Sequence, residues 1–211
     1  NSLANNITLL LKDTNKVILV TGALKASGKT FVANELANTL ANLGKRTLLM
    51  DCDYKQGDLH KIYNKEKINI SSLIDKKIIN EDIRVGENLY LLPRPSNASE
   101  RSLSLFSSPM FREIIEKLRE EFDYVIIDSP PALSVPDSLT LATVSDQVIS
   151  VVRHSYTKMR EQEQMKKDFD FLGISLDQVV YNDFKKPIGY YGYDYYAYKY
   201  YGYEYTYESK D

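Results

Sequence analysis

The sequence predicts a doubly wound, mostly parallel α/β sheet, and three observations carry that reading. Short apolar runs rich in β-branched residues alternate with helical stretches, the pattern of strand–helix–strand units. The first run, Val17 to Val20, leads through a small-residue turn into Gly28-Lys29-Thr30 and a helical stretch. That is the order of a Walker A loop and of the P-loop NTPase sheet. Two later runs end in aspartate: LLMDCD closes on Asp51 and Asp53, and YVIID closes on Asp128. Ligands of such sheets sit at the carboxyl ends of the strands. Lys29, Thr30, Asp51, Asp53 and Asp128 are therefore expected to meet at one rim.

Each element has a local reason. Residues 1–15 read as a short helix, with Leu3, Ile7, Leu10 and Leu11 on one face, packed against the sheet edge. After the loop, Phe31, Leu36, Leu40 and Leu43 give a helical stripe that Gly44 stops. Residues 45–53 form a second buried strand. If it persists to its end, Asp51 and Asp53 face one side and Cys52 packs on the other. The stretch 54–88 is polar and irregular, with short helical candidates at 71–76 and 80–85. NLYLL (88–92) is a strand, and PRPSNASE after it is turn-rich. Ser108-Pro109 starts a helix that runs to about Glu121, with the serine as N-cap and proline in the first turn. Residues 124–128 are a buried strand broken by Pro130 and Pro131. Residues 147–152 form another strand, 157–172 a charged helix stopped by Gly173, and 178–181 the last strand, ending at Asn182.

The loop chemistry needs these residue types in this order. Backbone amides of the turn and of the helix N-terminus converge on phosphate oxygens, where the helix dipole also favours negative charge. Lys29 supplies a compact cation and Thr30 a hydroxyl for Mg²⁺. The candidate nucleotide-binding set is Gly22, Ala23, Leu24, Lys25, Ala26, Ser27, Gly28, Lys29, Thr30 and Phe31. Ala23 stands at the first glycine of the strict pattern. A strand ending in one aspartate is, by itself, equally a capped strand; beside a Walker A loop, Asp128 reads as Walker B.

Composition narrows the classes. With 211 residues, a net charge of −2 and a pI of about 5.8, no bulk field attracts nucleic acid or an anionic membrane. No apolar run approaches a spanning length, and no signal-peptide pattern is expected at the start. One cysteine, Cys52, excludes a disulfide framework and fits a reducing cytoplasm. His60 and His154 lack metal-ligand spacing, which argues against zinc chemistry, and no Ser-His-Asp pattern is evident.

From Tyr190 to Tyr207, eleven of eighteen residues are tyrosine: Tyr190, Tyr191, Tyr193, Tyr195, Tyr196, Tyr198, Tyr200, Tyr201, Tyr203, Tyr205 and Tyr207. Such a low-complexity stretch predicts a disordered tail, so the expected division is 1–187 for the folded domain and 188–211 for the tail. An aromatic tail that self-associates or stacks on a partner is the plainer reading. Tyrosine to the exclusion of Phe and Trp favours a phosphate acceptor, because stacking accepts any aromatic and phosphorylation requires a phenol. As a coil of about 24 residues the tail has an r.m.s. span of roughly 25–30 Å. Length therefore does not decide between acceptance in cis and in trans.

These residues resemble the bacterial tyrosine kinase family, in particular the cytoplasmic kinase domain of Wzc-type capsule and exopolysaccharide co-polymerases. VTGALKASGKTF stands as Walker A, LLMDCD as Walker A′, YVIIDSPP as Walker B, PRPSNASE as the Pro-rich segment, and the tyrosine cluster ends the chain. The resemblance implies an ATP/Mg²⁺-dependent autokinase acting on that cluster, in trans within a ring, to regulate polysaccharide polymerisation and export. Lys29 would contact the outer phosphates; Thr30, Asp53 and Asp128 would hold Mg²⁺; Asp51 would accept the proton of the attacking tyrosine. Asn182 stands where related Walker ATPases place an adenine-reading asparagine, and Arg153 matches an arginine common after the preceding strand. The implied partners are the tail of the same or a neighbouring subunit, a membrane-spanning activator region, fused or separate, and a tyrosine phosphatase. The implied place is the cytoplasmic face of the inner membrane. Lys25 replaces a usual proline, Asp58 stands where some relatives carry tyrosine, and Asn1-Ser2-Leu3-Ala4 stands where ring-forming arginines are expected. The alternative is a nucleotide-switched ATPase of the ParA/MinD type, whose signature lysine would fall at Leu24. A non-catalytic ATP-binding module is a third reading, and a GTPase is disfavoured because no N-K-x-D motif follows the later strands.

Overall fold

The computed structural model describes residues 16–65, 83–95, 102–176 and 178–183. Six strands lie in them: β1 (Val17–Thr21), β2 (Thr47–Asp51), β3 (Leu89–Leu92), β4 (Tyr124–Asp128), β5 (Gln147–Arg153) and β6 (Gln178–Asn182). They form one sheet in the order β3-β2-β4-β1-β5-β6, and every strand pairing is parallel. The helices are α1 (Lys29–Asn42), α2 (Leu59–Ile62), α3 (Ser102–Phe106), α4 (Pro109–Glu121), α5 (Asp137–Ala142) and α6 (Met159–Phe171).

The central strands read as continuous apolar runs because both faces are covered. On one face Ile18, Val20, Leu49, Ile126 and Ile149 pack against Val32, Leu36 and Leu40 of α1. On the other, Val17, Leu19, Leu48, Val125 and Ile127 meet Phe111, Ile115 and Leu118 of α4, Leu141 of α5, and Met165 and Phe169 of α6. Helices on both faces of a parallel sheet make the expected doubly wound fold. The α4 start is also as expected: Pro109 sits in the first turn and the Ser108 hydroxyl accepts from the Phe111 amide at 3.1 Å.

Three local expectations are corrected. The buried face of α1 is Val32, Ala33, Leu36, Ala37, Leu40 and Ala41, whereas Phe31 is 57% and Leu43 60% exposed. The alanines let the helix lie close to the sheet, and the larger end residues turn to solvent. Second, β2 stops at Asp51. One further ladder bond follows, from the Cys52 amide to the Asp128 carbonyl at 2.8 Å, and then the chain turns so that the Asp53 carboxylate accepts from the Gln56 amide at 2.9 Å. Third, the helix expected at 80–85 does not reach its end: Arg84 forms an antiparallel bridge with Tyr90, and the Val85 amide donates to the Leu89 carbonyl. The short helices α2, α3 and α5 are not among the expected elements, since four to six residues are too few to show a helical period. The helices expected at 1–15 and 71–76, and the tail with its boundary at 187, lie outside the described residues. Among the described residues no helix is long and apolar enough to cross a membrane.

Candidate active site

The turn between β1 and α1 is shaped by its smallest residues. A Cβ on Gly22 would come within 2.7 Å of the Val151 carbonyl and 2.8 Å of Ser27 Oγ, so only glycine fits there. Ala26 (φ 57°) and Gly28 (φ 95°) both lie in the left-handed region, which reverses the chain onto the first turn of α1. Gly28 is the N-cap and provides no side-chain acceptor, and the first turn carries no acid. The amino end of a 14-residue helix thus presents amides and a positive dipole end to the rim. Ala23 is buried. Leu24 is half-buried, Lys25 and Ala26 are exposed, and Ser27 is buried with its hydroxyl on the Leu24 carbonyl at 3.1 Å. Phe31, counted in the nucleotide-binding set, points to solvent.

The rim assembles as expected. Register places Asp51 opposite Asp128 on adjacent strands, with Asp128 opposite Val20 on its other side. Lys29 is 7% exposed and its ammonium rests 3.4 Å from the Leu24 carbonyl. Burial lowers the Lys29 pKa, while the charges of Asp128 and Asp53 oppose that fall. Asp128 is fully buried, and neither carboxylate oxygen meets a partner of good hydrogen-bond geometry. Burial raises its pKa to about 7; the Thr30 hydroxyl and the Lys29 cation pull it down, and Asp53 adds to the rise. Thr30, half-buried, stands beside it at the start of α1.

Asp51 is 2% exposed, and burial followed by the charge of Asp128 raises its pKa to about 8. The turn after β2 closes over it. Its Oδ2 accepts from the Leu59 amide at 3.3 Å, and a Cβ on Gly57 would stand 2.0 Å from Oδ1. Arg94 braces this turn by donating to the carbonyls of Tyr54 at 2.9 Å and Lys55 at 3.2 Å, and its charge lowers the Asp51 pKa. Gly57, Leu59 and Arg94 were missed by sequence reasoning. A glycine in a polar stretch hints at a close approach, but not at what approaches. Asp58 stands at the N-cap position of α2, where its exposed carboxylate pairs with Lys61 at 2.7 Å. Cys52 is buried, and burial pushes its thiol far up, so it supplies no reactive thiolate.

Asn182 ends β6 beside the loop: its Nδ2 donates to the Ser27 carbonyl at 3.0 Å, and a Cβ on Gly28 would meet it at 2.0 Å. Arg153 ends β5 and donates to the Ala26 carbonyl at 3.1 Å. A separate cavity of about 450 Å³ opens at the other end of the sheet, between Asp146, Gln147, Gly173 and Ser175, and no rim residue lines it. Orphaned buried carboxylate oxygens, an uncapped helix start and a buried ammonium make a rim that fits a polyphosphate with a divalent cation. Among the described residues no cluster of three or more His, Cys, Asp or Glu forms an all-protein cage. Mg²⁺ held partly by substrate phosphates needs none.

The family model described as "AAA domain" matches residues 15–177. The tyrosine-protein kinase ptk of Acinetobacter johnsonii is 32% identical over 179 residues, which cover 82% of this chain and 24% of that protein. The chain spans about a quarter of the length of the curated relatives it matches first. The tyrosine-protein kinase CpsD of Streptococcus pneumoniae is 29% identical, with 91% of this chain and 86% of that protein covered. The crystal structure of the VpsO kinase domain superposes with a TM-score of 0.77 at 27% identity, covering 87% of this chain and 94% of that one. A ParA family ATPase from Chlorobium tepidum shares the fold, with a TM-score of 0.66 at 17% identity over 83% of this chain and 77% of its own. The chain belongs to the AAA-domain family and, within it, to the bacterial tyrosine kinases.

Proposed function

We propose that this chain is the catalytic part of an ATP- and Mg²⁺-dependent protein-tyrosine autokinase. Residues 1–187 form the kinase domain, and the acceptors are the tyrosines between Tyr190 and Tyr207. The observation that carries this reading is the rim itself: a buried ammonium in the field of the buried Asp128 carboxylate, with the buried Asp51 opposite Asp128 on the next strand, beside a left-handed turn.

The chain's own groups divide the work as follows. The amides of the turn and the start of α1 hold the phosphates, and Lys29 balances charge on the outer ones. Thr30, Asp53 and Asp128 would hold Mg²⁺, which supplies charge neutralisation between the phosphates when bound. A tyrosine oxygen attacks the γ-phosphorus, the bond to ADP breaks, and Asp51 takes the phenolic proton. Burial keeps that carboxyl protonated up to about pH 8 in the free protein, so it would serve as base only once nearby positive charge and opening of the turn have ionised it. A phenol has a pKa near 10, so it arrives protonated at neutral pH, and a positioned base is worth on the order of 10² to 10⁴ in rate. Asp51 lies beneath Gly57 and the Leu59 amide. The phenol therefore gains access only when that turn moves aside. Asn182 is proposed to read the adenine.

The wider role proposed is regulation of capsular or exopolysaccharide polymerisation and export at the cytoplasmic face of the inner membrane, with transfer in trans between subunits of an oligomer. A membrane-spanning activator region, fused or separate, and a tyrosine phosphatase complete the system; nucleic acid is not a partner. Each phosphate adds about −1.5 to −2 of charge. Several on neighbouring tails repel one another and bias the oligomer toward dissociation.

Incubation with ATP and Mg²⁺ followed by intact mass measurement tests the reading. Stepwise mass gain that disappears in Lys29→Met and Asp51→Asn supports it; ATP consumption with no gain overturns it. That second outcome is what a ParA/MinD-type ATPase would give, a reading favoured by the covered position of Asp51 and disfavoured by leucine at position 24.

A further inference from the structure

Two side chains from outside the phosphate turn hold its backbone, and both end neighbouring strands. Arg153 Nη1 donates to the Ala26 carbonyl at 3.1 Å, and Asn182 Nδ2 donates to the Ser27 carbonyl at 3.0 Å. The β5–β6 register pairs these two residues directly. The carbonyls they hold are consecutive, and one belongs to Ala26, whose φ of 57° a side chain larger than hydrogen resists. Arg153 is itself fixed on several sides. Its Nε pairs with Asp183 Oδ2 at 3.2 Å, its guanidinium lies 5.5 Å from the Tyr156 ring centre, and its amide donates to Thr157 Oγ1 at 3.1 Å.

In a planar trans peptide the carbonyl and the following N–H point in opposite directions. Drawing the Ala26 carbonyl toward Arg153 therefore turns the Ser27 amide away from it, and drawing in the Ser27 carbonyl does the same for the Gly28 amide. We propose that Arg153 is a positioning residue that locks the left-handed Ala26 peptide and so aims the Ser27 amide at the phosphates. The planar fork of arginine suits the task because it serves a carbonyl and a carboxylate at once, which a single ammonium does less well. Asp183 and Tyr156 orient the fork through the ion pair and the ring contact. The inference rests on the nucleotide reading of the rim, and it extends that reading to a residue outside the Walker motifs.

The test is calorimetric titration of the full chain with ATP and Mg²⁺, run on wild type, Arg153→Ala, Arg153→Lys, Ala26→Gly and the Arg153→Ala/Ala26→Gly double variant. Arg153→Ala is expected to weaken binding about tenfold, the loss of roughly one charge-assisted hydrogen bond. Arg153→Lys, whose single ammonium cannot serve the carbonyl and the carboxylate at once, should recover only part of the loss. Glycine at position 26 adopts the left-handed turn without restraint, so the double variant should recover most of the loss. In steady-state transfer the KM for ATP should rise while kcat at saturation stays nearly unchanged. Melting curves of each variant confirm folding; the ion pair is more than a third exposed, so the melt should barely move. Unchanged binding in Arg153→Ala, or the same loss with glycine at 26, overturns the proposal. A wild-type chain that binds no nucleotide overturns it together with the nucleotide reading. A chain that binds ATP but transfers nothing overturns the kinase reading alone, and the binding comparison then still decides for or against Arg153.

Discussion

Replacing Asp51 by asparagine should make the free protein more stable, and by an amount that grows with pH. Below about pH 4 the carboxyl is protonated in both folded and unfolded chains and contributes nothing. As pH rises the unfolded chain loses the proton first, at the ordinary value of 3.8, whereas the folded chain keeps it until about 8. Over that window the folded state binds more protons, so stability falls as pH rises, and the loss is complete above pH 8. The full interval corresponds to about 5–6 kcal/mol at 1.36 kcal/mol per pH unit. Relaxation of the turn and entry of water around the ionised carboxylate reduce that cost, so the asparagine should recover about half, ~2–3 kcal/mol. For a domain of this size that is a rise of about 5–10 °C in Tm. The asparagine oxygen keeps the Leu59 amide contact that Oδ2 now makes. The assay is thermal melting of both proteins at pH 5, 7 and 8.5 in chelated, nucleotide-free buffer. A gap that opens toward pH 8.5 is predicted. An Asp51→Asn protein that melts below wild type at pH 8.5, or a gap independent of pH, refutes the reasoning.

Three further outcomes follow from single contacts. Gly28→Ala must hold φ 95° and place its Cβ 2.0 Å from Asn182 Nδ2, so nucleotide binding measured by titration should fall at least about tenfold. Adding Asn182→Ala removes the clash but not the dihedral, and should recover only part. Leu36→Ala, at a fully buried position beneath the sheet, should cost about 2–5 kcal/mol by denaturant unfolding. Ser108→Ala removes the acceptor for the Phe111 amide and should lower stability by about 1 kcal/mol while leaving phosphoryl transfer unchanged.

Much of this arrangement was legible in the sequence because it is local. A strand buried on both faces must read as an apolar run, so Val17–Thr21 and Tyr124–Asp128 announced themselves, and the rim followed from where those runs stop. Ser108-Pro109 carried its own start signal in two side chains. What stayed hidden depends on contacts distant in sequence or on elements too short for a period. Nothing in residues 54–59 says that Gly57 and the Leu59 amide fold back over Asp51, and the pKa of that carboxyl is set by this cover. The end of β2 at Asp51 is likewise decided by a turn in which one oxygen of Asp53, Oδ1, accepts from the Gln56 amide, which breaks the alternation that LLMDCD suggests. Arg153 and Ala26 are 127 positions apart and meet only because β5 lies beside β1.

The central claim is that the carboxylate rim transfers phosphate to tyrosine and does not merely release it. Site-resolved peptide mass mapping after incubation of the full chain with ATP and Mg²⁺ addresses it most directly. Phosphate on tyrosines within 190–207, absent from the Asp51→Asn protein, is the predicted result. Free phosphate accumulating from ATP while every tyrosine stays unmodified would contradict it.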